Sequence, residues 1–322
     1  MSAAPTDVAP RVTRDDIVRA QARFDGFKPF LRRTPMLKVA GATVGIDCAE
    51  VWLKLEHLQV SGSFKARGML NRLLANEIPP AGVIIASGGN AGIACAQAAN
   101  ALGVTCEVYV PELCPPAKQQ KLAALGATVI VGGAFYPQAL EACIARQRAS
   151  GALFVHAYDQ PEVVAGAGTI ALEIEADAGL PDAVLVSVGG GGLIAGIAAG
   201  FEARSRVIAL EPELCPTLFE ARRQRQPVDV DVSGIAADSL GARRIGQIAW
   251  SVTERWIAQS LLVADEQIRA AQLWLWREMR LAVEPAAALP LAALQCGAYV
   301  PRGDEKVCLI VCGANFDPTV LA

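Results

Sequence analysis

The chain has 322 residues, which at about 150 residues per domain implies two domains. Apolar residues make up 53% and charged residues 19%, enough to build large cores and to exclude global disorder. With 29 basic against 32 acidic side chains and a net charge of −3, neither a nucleic acid nor an anionic membrane surface is an expected partner.

The sequence holds nine cysteines, an odd number with no CxxC pair. Most sit in apolar runs, as Cys95, Cys106 and Cys308 do, so they read as reduced, buried thiols of a cytoplasmic protein. Only His57 and His156 are available, which excludes a multi-histidine zinc site. The N-terminus lacks the apolar stretch of a signal peptide. Residues 183–201 are uncharged over a span long enough to cross a bilayer. Four successive glycines in that span argue instead for a strand, a loop and a buried helix.

In chain order, Thr13 and Asp16 have capping-box spacing and predict a helix to about Phe24. Strands are expected at 51–55, 83–86, 106–110, 127–131, 153–156, 183–188, 207–210 and 307–311. Helices are expected at 91–102, 118–125, 138–149, 167–178 and 193–203. The strands are short and apolar with little polar alternation, as in parallel sheets covered on both faces. The alternation predicts an α/β fold of two doubly wound, mostly parallel sheets. Residues 221–231, ARRQRQPVDVD, read as a solvated loop.

Four segments carry chemistry. In Ser61-Gly-Ser-Phe-Lys65-Ala-Arg-Gly68, a lysine follows a glycine turn at a helix start, a place for a desolvated nucleophilic amine or for an ordinary surface lysine. Gly189, Gly190, Gly191 and Gly192 lie between a strand and a helix. Backbone N–H groups there can wrap a phosphate, or the loop is simply a tight turn. It fits neither GxGxxG nor a P-loop. Ser87-Gly-Gly-Asn90-Ala-Gly92 opens another helix, as a carboxylate cradle or as a cap. Cys312 ends the last strand, as a ligand contact or as a structural thiol.

Together with Arg33-Thr-Pro-Met-Leu37, KLEHLQVSGSFKARG (54–68), ASGGNAG (86–92), GAGTIALE (166–173), SVGGGGLIAGI (187–197), Glu284-Pro285 and VCGAN (311–315), these segments resemble the fold-type-II pyridoxal-phosphate enzymes. Within them the chain is similar to the serine/threonine dehydratases (ammonia-lyases), close to serine dehydratase and serine racemase. The resemblance implies a large cofactor domain of residues 1–77 plus 153–322 and a small mobile domain of residues 78–152. It implies pyridoxal 5′-phosphate bound to Lys65 as a Schiff base, with Phe64 against the ring. Gly189 to Gly192 would hold the phosphate, and Cys312 would meet the pyridine nitrogen. Ser87, Gly89, Asn90 and Ala91 would line the substrate carboxylate, with Asn90 also near the cofactor's phenolic oxygen. Glu211 and the main-chain carbonyl of Cys215 would form a site for a monovalent or divalent cation.

The expected reaction is β-elimination from a small β-hydroxy amino acid such as serine or threonine. Lys65 removes the Cα proton, the hydroxyl leaves, and a 2-keto acid and ammonia result. By the same resemblance the enzyme is a homodimer with no length for a regulatory domain. The alternatives are another β-hydroxy substrate (3-hydroxyaspartate, with Arg67 or Arg146 as carboxylate partner, or a phenylserine), a racemase, or a non-catalytic phosphate-binding protein. Two departures weigh on these. Ala91 stands where many relatives have histidine, and Gly88 where similar racemases have a proton-donating serine. Phe135 and Tyr136 are expected to pack rather than to shape the pocket.

Overall fold

The computed structural model describes residues 11–27 and 30–321; the first ten residues, and with them most of the segment read as lacking a signal peptide, lie outside that range. Helix α1 (Arg14–Gly26) starts with the expected box, in which the Thr13 side chain and backbone both engage Asp16. It is followed by β1 (Met36–Ala40), β2 (Glu50–Lys54) and α2 (Lys65–Leu74). Next come β3 (Val83–Ala86), α3 (Asn90–Ala101), β4 (Cys106–Val110), α4 (Pro116–Ala124), β5 (Thr128–Val131), α5 (Tyr136–Ser150) and β6 (Leu153–Val155). The chain continues through α6 (Pro161–Ala178), β7 (Ala183–Ser187), α7 (Gly192–Phe201), β8 (Arg206–Pro212), α8 (Thr217–Gln224), α9 (Ala237–Leu240) and α10 (Gln247–Trp256). It closes with β9 (Ile257–Val263), α11 (Asp265–Met279), α12 (Pro285–Gln295) and β10 (Lys306–Ile310).

Two sheets result. One has six strands in the order β1-β2-β10-β7-β8-β9, parallel except for the β1–β2 pair. The other has four parallel strands in the order β5-β4-β3-β6. Every residue of β7 is buried, as are all of β3 and all but the first residue of β10, which is why these strands carry no polar alternation. The uncharged span 183–201 is β7, the glycine loop and α7, and among the described residues no helix is long and apolar enough to cross a membrane.

Three readings need correction. Residues 221–224 belong to α8, where Arg223 pairs with Glu220 and Arg222 donates to the Ile257 carbonyl, so the solvated loop begins only beyond them. Phe135 and Tyr136 do not pack into the core, being 63% and 43% exposed. Strands β1 and β9 lie outside the expected set, because both are edge strands with mixed exposure and no sustained apolar run. All nine cysteines are free thiols, and all but Cys296 are buried.

Candidate active site

Strand order builds the site. In the six-stranded sheet β10 lies between β2 and β7, so the segments leaving their carboxyl ends meet. The segment after β10 carries Cys312, the one after β2 leads to Lys65, and the one after β7 is the glycine loop. The approach to Lys65 is stitched to the Cys312 segment. Phe64 N donates to Cys312 O at 3.0 Å, His57 N to Val311 O at 2.8 Å and Ala314 N to Gly62 O at 2.9 Å. Gly62 turns the chain at φ +74°, and a Cβ there would sit 2.9 Å from Asn315 Oδ1. From the four-stranded sheet, the segments after β3 and β6 bring in Asn90 and Tyr158.

These segments converge on one pocket beyond the carboxyl ends of the strands. Of the residues singled out in the sequence, Phe64, Lys65, Asn90, the glycines 189–192 and Cys312 all line it. Ser87 and Gly89 stand just before Asn90 at the start of α3, with Gly89 N donating to Ser87 Oγ at 3.3 Å. The methyl of Ala91 is buried in the core of the four-stranded layer, so only its backbone is left for a ligand. Glu211 lies elsewhere. Its carboxylate accepts from the amides of Leu218 (2.6 Å) and Phe219 (2.7 Å) at the start of α8, while Cys215 Sγ donates to Ser233 O. Both Glu211 oxygens thus accept from helix amides, and the Cys215 carbonyl, the other oxygen expected to face a cation, accepts from Thr217 N at 3.1 Å. Among the described residues no group of three His, Cys, Asp or Glu side chains gathers to hold a metal ion.

The Lys65 amine donates to Ala157 O at 2.7 Å, and burial lowers its pKa to about 8 against the opposing charges of Cys312 and Glu284. Burial also raises the Cys312 thiol well above its ordinary range, with Glu284 adding to the effect, so the thiol is neutral. The glycine loop admits no side chains. A Cβ on Gly190 would collide with the Tyr158 ring, one on Gly189 would lie 2.9 Å from Leu240, and one on Gly191, at φ +89°, 2.5 Å from Ala249. Bare backbone is thus left at the N-terminus of the ten-residue helix α7, a setting for an anion. A buried amine for an aldehyde, an amide cradle for a phosphate and a neutral group at the strand end fit pyridoxal phosphate.

Beneath Lys65 lies a buried ion cluster. Arg67 donates to both oxygens of Glu56 (2.8 Å each), to both oxygens of Glu173 (2.7 and 2.8 Å) and to Thr169. Lys54 Nζ adds a bond to Glu173 at 2.6 Å. Burial alone would raise the Glu173 pKa, but Arg67 and Lys54 hold it below the ordinary value. Arg67 is therefore fully engaged and cannot meet a substrate carboxylate, and Arg146 is paired with Glu107 at 2.9 Å.

The pocket also contains Tyr158, Ser187, Ser239, Leu240, Glu284 and Ala286, to which sequence reasoning assigned no role. Glu284 appeared there only as part of a motif. A carboxylate directly before a helix-starting proline reads first as a cap, and its burial beside Asn90 is a tertiary fact.

Residues 27–313 match the family profile described as pyridoxal-phosphate dependent enzyme. The chain belongs to this family, in its serine/threonine dehydratase group. It is 35% identical to the catabolic L-threonine dehydratase of Staphylococcus aureus (strain USA300), over 96% of this chain and 90% of that one. Among solved structures it is similar to a threonine deaminase from T.th. (TM-score 0.87, 34% identity, 95% and 99% of the two chains covered). It is also similar to maize serine racemase (TM-score 0.89, 27% identity, 97% and 96% covered).

Proposed function

We propose that this chain dehydrates and deaminates serine or threonine, releasing the 2-keto acid and ammonia. One observation carries the reading: an amine with a pKa of about 8, Lys65, opens into the same pocket as an all-glycine amide loop and a neutral strand-end thiol. The likeness to threonine dehydratases over nearly the whole chain supports the substrate class.

When bound, pyridoxal phosphate supplies an electron sink for negative charge at the substrate Cα. Lys65 is the group that would hold its aldehyde, and its free amine would take the Cα proton. The amides of glycines 189–192 hold the phosphate. Ser87, Gly89 and the backbone of Ala91 receive the substrate carboxylate, and Phe64 packs against the ring. Cys312 is a weak partner for the pyridine nitrogen, since a neutral thiol cannot stabilise a pyridinium as a carboxylate would. That keeps the sink shallow and favours prompt loss of the β-hydroxyl over reactions that need a long-lived carbanion. Residues 78–152 close over the substrate. Two polar contacts already cross from α4 to the six-stranded layer, Lys118 to Asp238 and Lys121 to Asn315. Nine free thiols support a reducing, cytoplasmic setting. A homodimer completes the proposal and is measured by light scattering.

Two rival substrates fit less well. A β-carboxylate finds no free arginine at the pocket and faces Glu284 there. Racemisation needs an acid–base group on the far face of the cofactor, and Gly88 offers none. A Cβ at Gly88 would lie 2.8 Å from Cys114 Sγ, so that space is taken. Keto-acid release across L- and D-serine, L- and D-threonine and 3-hydroxyaspartate decides the matter. Product is expected from serine or threonine; faster release from 3-hydroxyaspartate, or none from any of them, would overturn the assignment.

A further inference from the structure

Four side chains from four separate segments form one continuous polar chain. Lys121 Nζ, on α4, donates to Asn315 Oδ1 at 2.7 Å. Asn315 Nδ2, beyond β10, donates to Asn90 Oδ1 at 2.7 Å and to Ser61 O at 2.7 Å. Asn90 Nδ2, at the start of α3, donates to both carboxylate oxygens of Glu284 at 3.0 and 3.2 Å. Glu284 precedes α12 and is 4% exposed. It is packed so tightly that a Cβ on Gly313 would lie 2.6 Å from its Oε1.

The direction of every bond follows from the two ends and from the Ser61 carbonyl, which can only accept. A side-chain amide has nearly the same shape either way round, so its partners decide which end is oxygen and which is nitrogen. An ammonium only donates, and an ionised carboxylate only accepts. Lys121 therefore turns the Asn315 oxygen toward itself, which turns the Asn315 nitrogen toward Asn90. Glu284 independently demands the Asn90 nitrogen. Glu284 lines the catalytic pocket and Asn315 does not, so the NH2 end of Asn90 is the end held on the pocket side.

We propose that Lys121 and Glu284 are positioning residues that together hold the Asn90 amide with its donor end toward the cofactor. This deepens the functional reading and rests on it, since it gives Asn90 a donor role toward an anionic oxygen of pyridoxal phosphate. Lys121 is exposed on the opposite layer from Glu284, so closure of α4 onto Asn315 also completes the constraint on Asn90. The charged groups facing Glu284 are Asp238 of α9 and Lys65 of α2. Burial first, then Asp238, raise its pKa to about 7 against the Asn90 and Asn315 bonds and the Lys65 charge. Below that pH Glu284 can donate, and Lys121 and the Ser61 carbonyl, both acting through Asn315, still dictate the orientation.

The test uses the full chain with its cofactor bound and ¹⁵N-labelled asparagine. There are only five asparagines, Asn71, Asn76, Asn90, Asn100 and Asn315, so the side-chain amide pairs are few enough to assign by single Asn→Asp variants. The Asn90 pair is expected to shift between pH 6 and 8, with a midpoint of about 7. Glu284→Gln should abolish that titration. Lys121→Met, a surface change that leaves folding intact, should move the Asn315 and Asn90 pairs together, and Lys121→Arg should restore them. Losing one charge-assisted bond predicts a fall in kcat/KM of about tenfold for Glu284→Gln and about threefold for Lys121→Met, with a shifted visible band of the bound cofactor in both. An Asn90 pair that stays in place in both variants overturns the proposal. A wild-type protein that binds no cofactor would sink the functional reading, whereas the resonance shifts judge the polar chain by themselves.

Discussion

The two layers are alike at the centre of their sheets, where β7 and β3 are both buried throughout, and differ in the helices that cover them. In the six-stranded layer every residue of α7 is buried, and Lys54, Glu56 and Arg67 form a buried ion cluster close to Lys65 in the chain. In the four-stranded layer β5 has no buried residue, and α4 buries only Leu122. The deep layer supplies the groups proposed to hold the cofactor: Lys65, glycines 189–192 and Cys312. The thin layer supplies Ser87 and Asn90, the residues proposed to meet the substrate. Local stability is lowest where buried contacts are fewest, so the division of chemistry follows the division of packing.

That contrast can be broken at its strongest point. Lys65→Ala should remove the visible band of bound cofactor and lower turnover by at least about three orders of magnitude, or about 4 kcal/mol of barrier. Unchanged turnover would discard the deep layer's central role. Arg67→Ala leaves Glu56 and Glu173 buried with part of their countercharge gone. It should destabilise the protein by about 3–5 kcal/mol in urea unfolding, whereas loss of the exposed Arg146–Glu107 pair should leave the urea midpoint nearly unchanged.

The reactivity of Lys65 sharpens the same point. Its amine is neutral above its pKa, so capture of pyridoxal phosphate by cofactor-free protein should rise with pH through a midpoint of about 8 and level off above it. A midpoint near that of an ordinary lysine would mean that the amine is not desolvated. The smallest effect separates the layers directly. Amide hydrogen exchange in β5 and α4 should run at least about tenfold faster than in β7 and β10, and binding of an unreactive substrate analogue should slow the former much more than the latter.

Much of this could be read from residues alone. The strands from 83 to 212 are short apolar runs, most of them closed by glycine or proline, and they lie within a residue or two of their expected places. The glycine loop and Cys312 each stood at a strand end, where open α/β sheets bind ligands, and Lys65 stood at a helix start after a glycine turn. The edge strands β1 and β9 escaped because an edge needs no continuous apolar run. Arg67 and Arg146 were both open as carboxylate partners because charge is visible in a sequence and its countercharge is not. Glu56 and Glu173 are 11 and 106 residues from Arg67, and only folding sets them against it.

Local chemistry therefore determined the kinds of group this protein brings to its reaction, an amine, a bare-backbone loop, an amide and a thiol. Glycine spacing, helix starts and apolar runs act over a few residues and need no partner to be recognised. The fold decided their company. It placed β10 between β2 and β7, closed the space above Gly190 with Tyr158, and set Glu284 against Asn90, 194 residues away. Those contacts depend on sheet order and on which polar atoms lose water together, and both come into being only when distant segments pack.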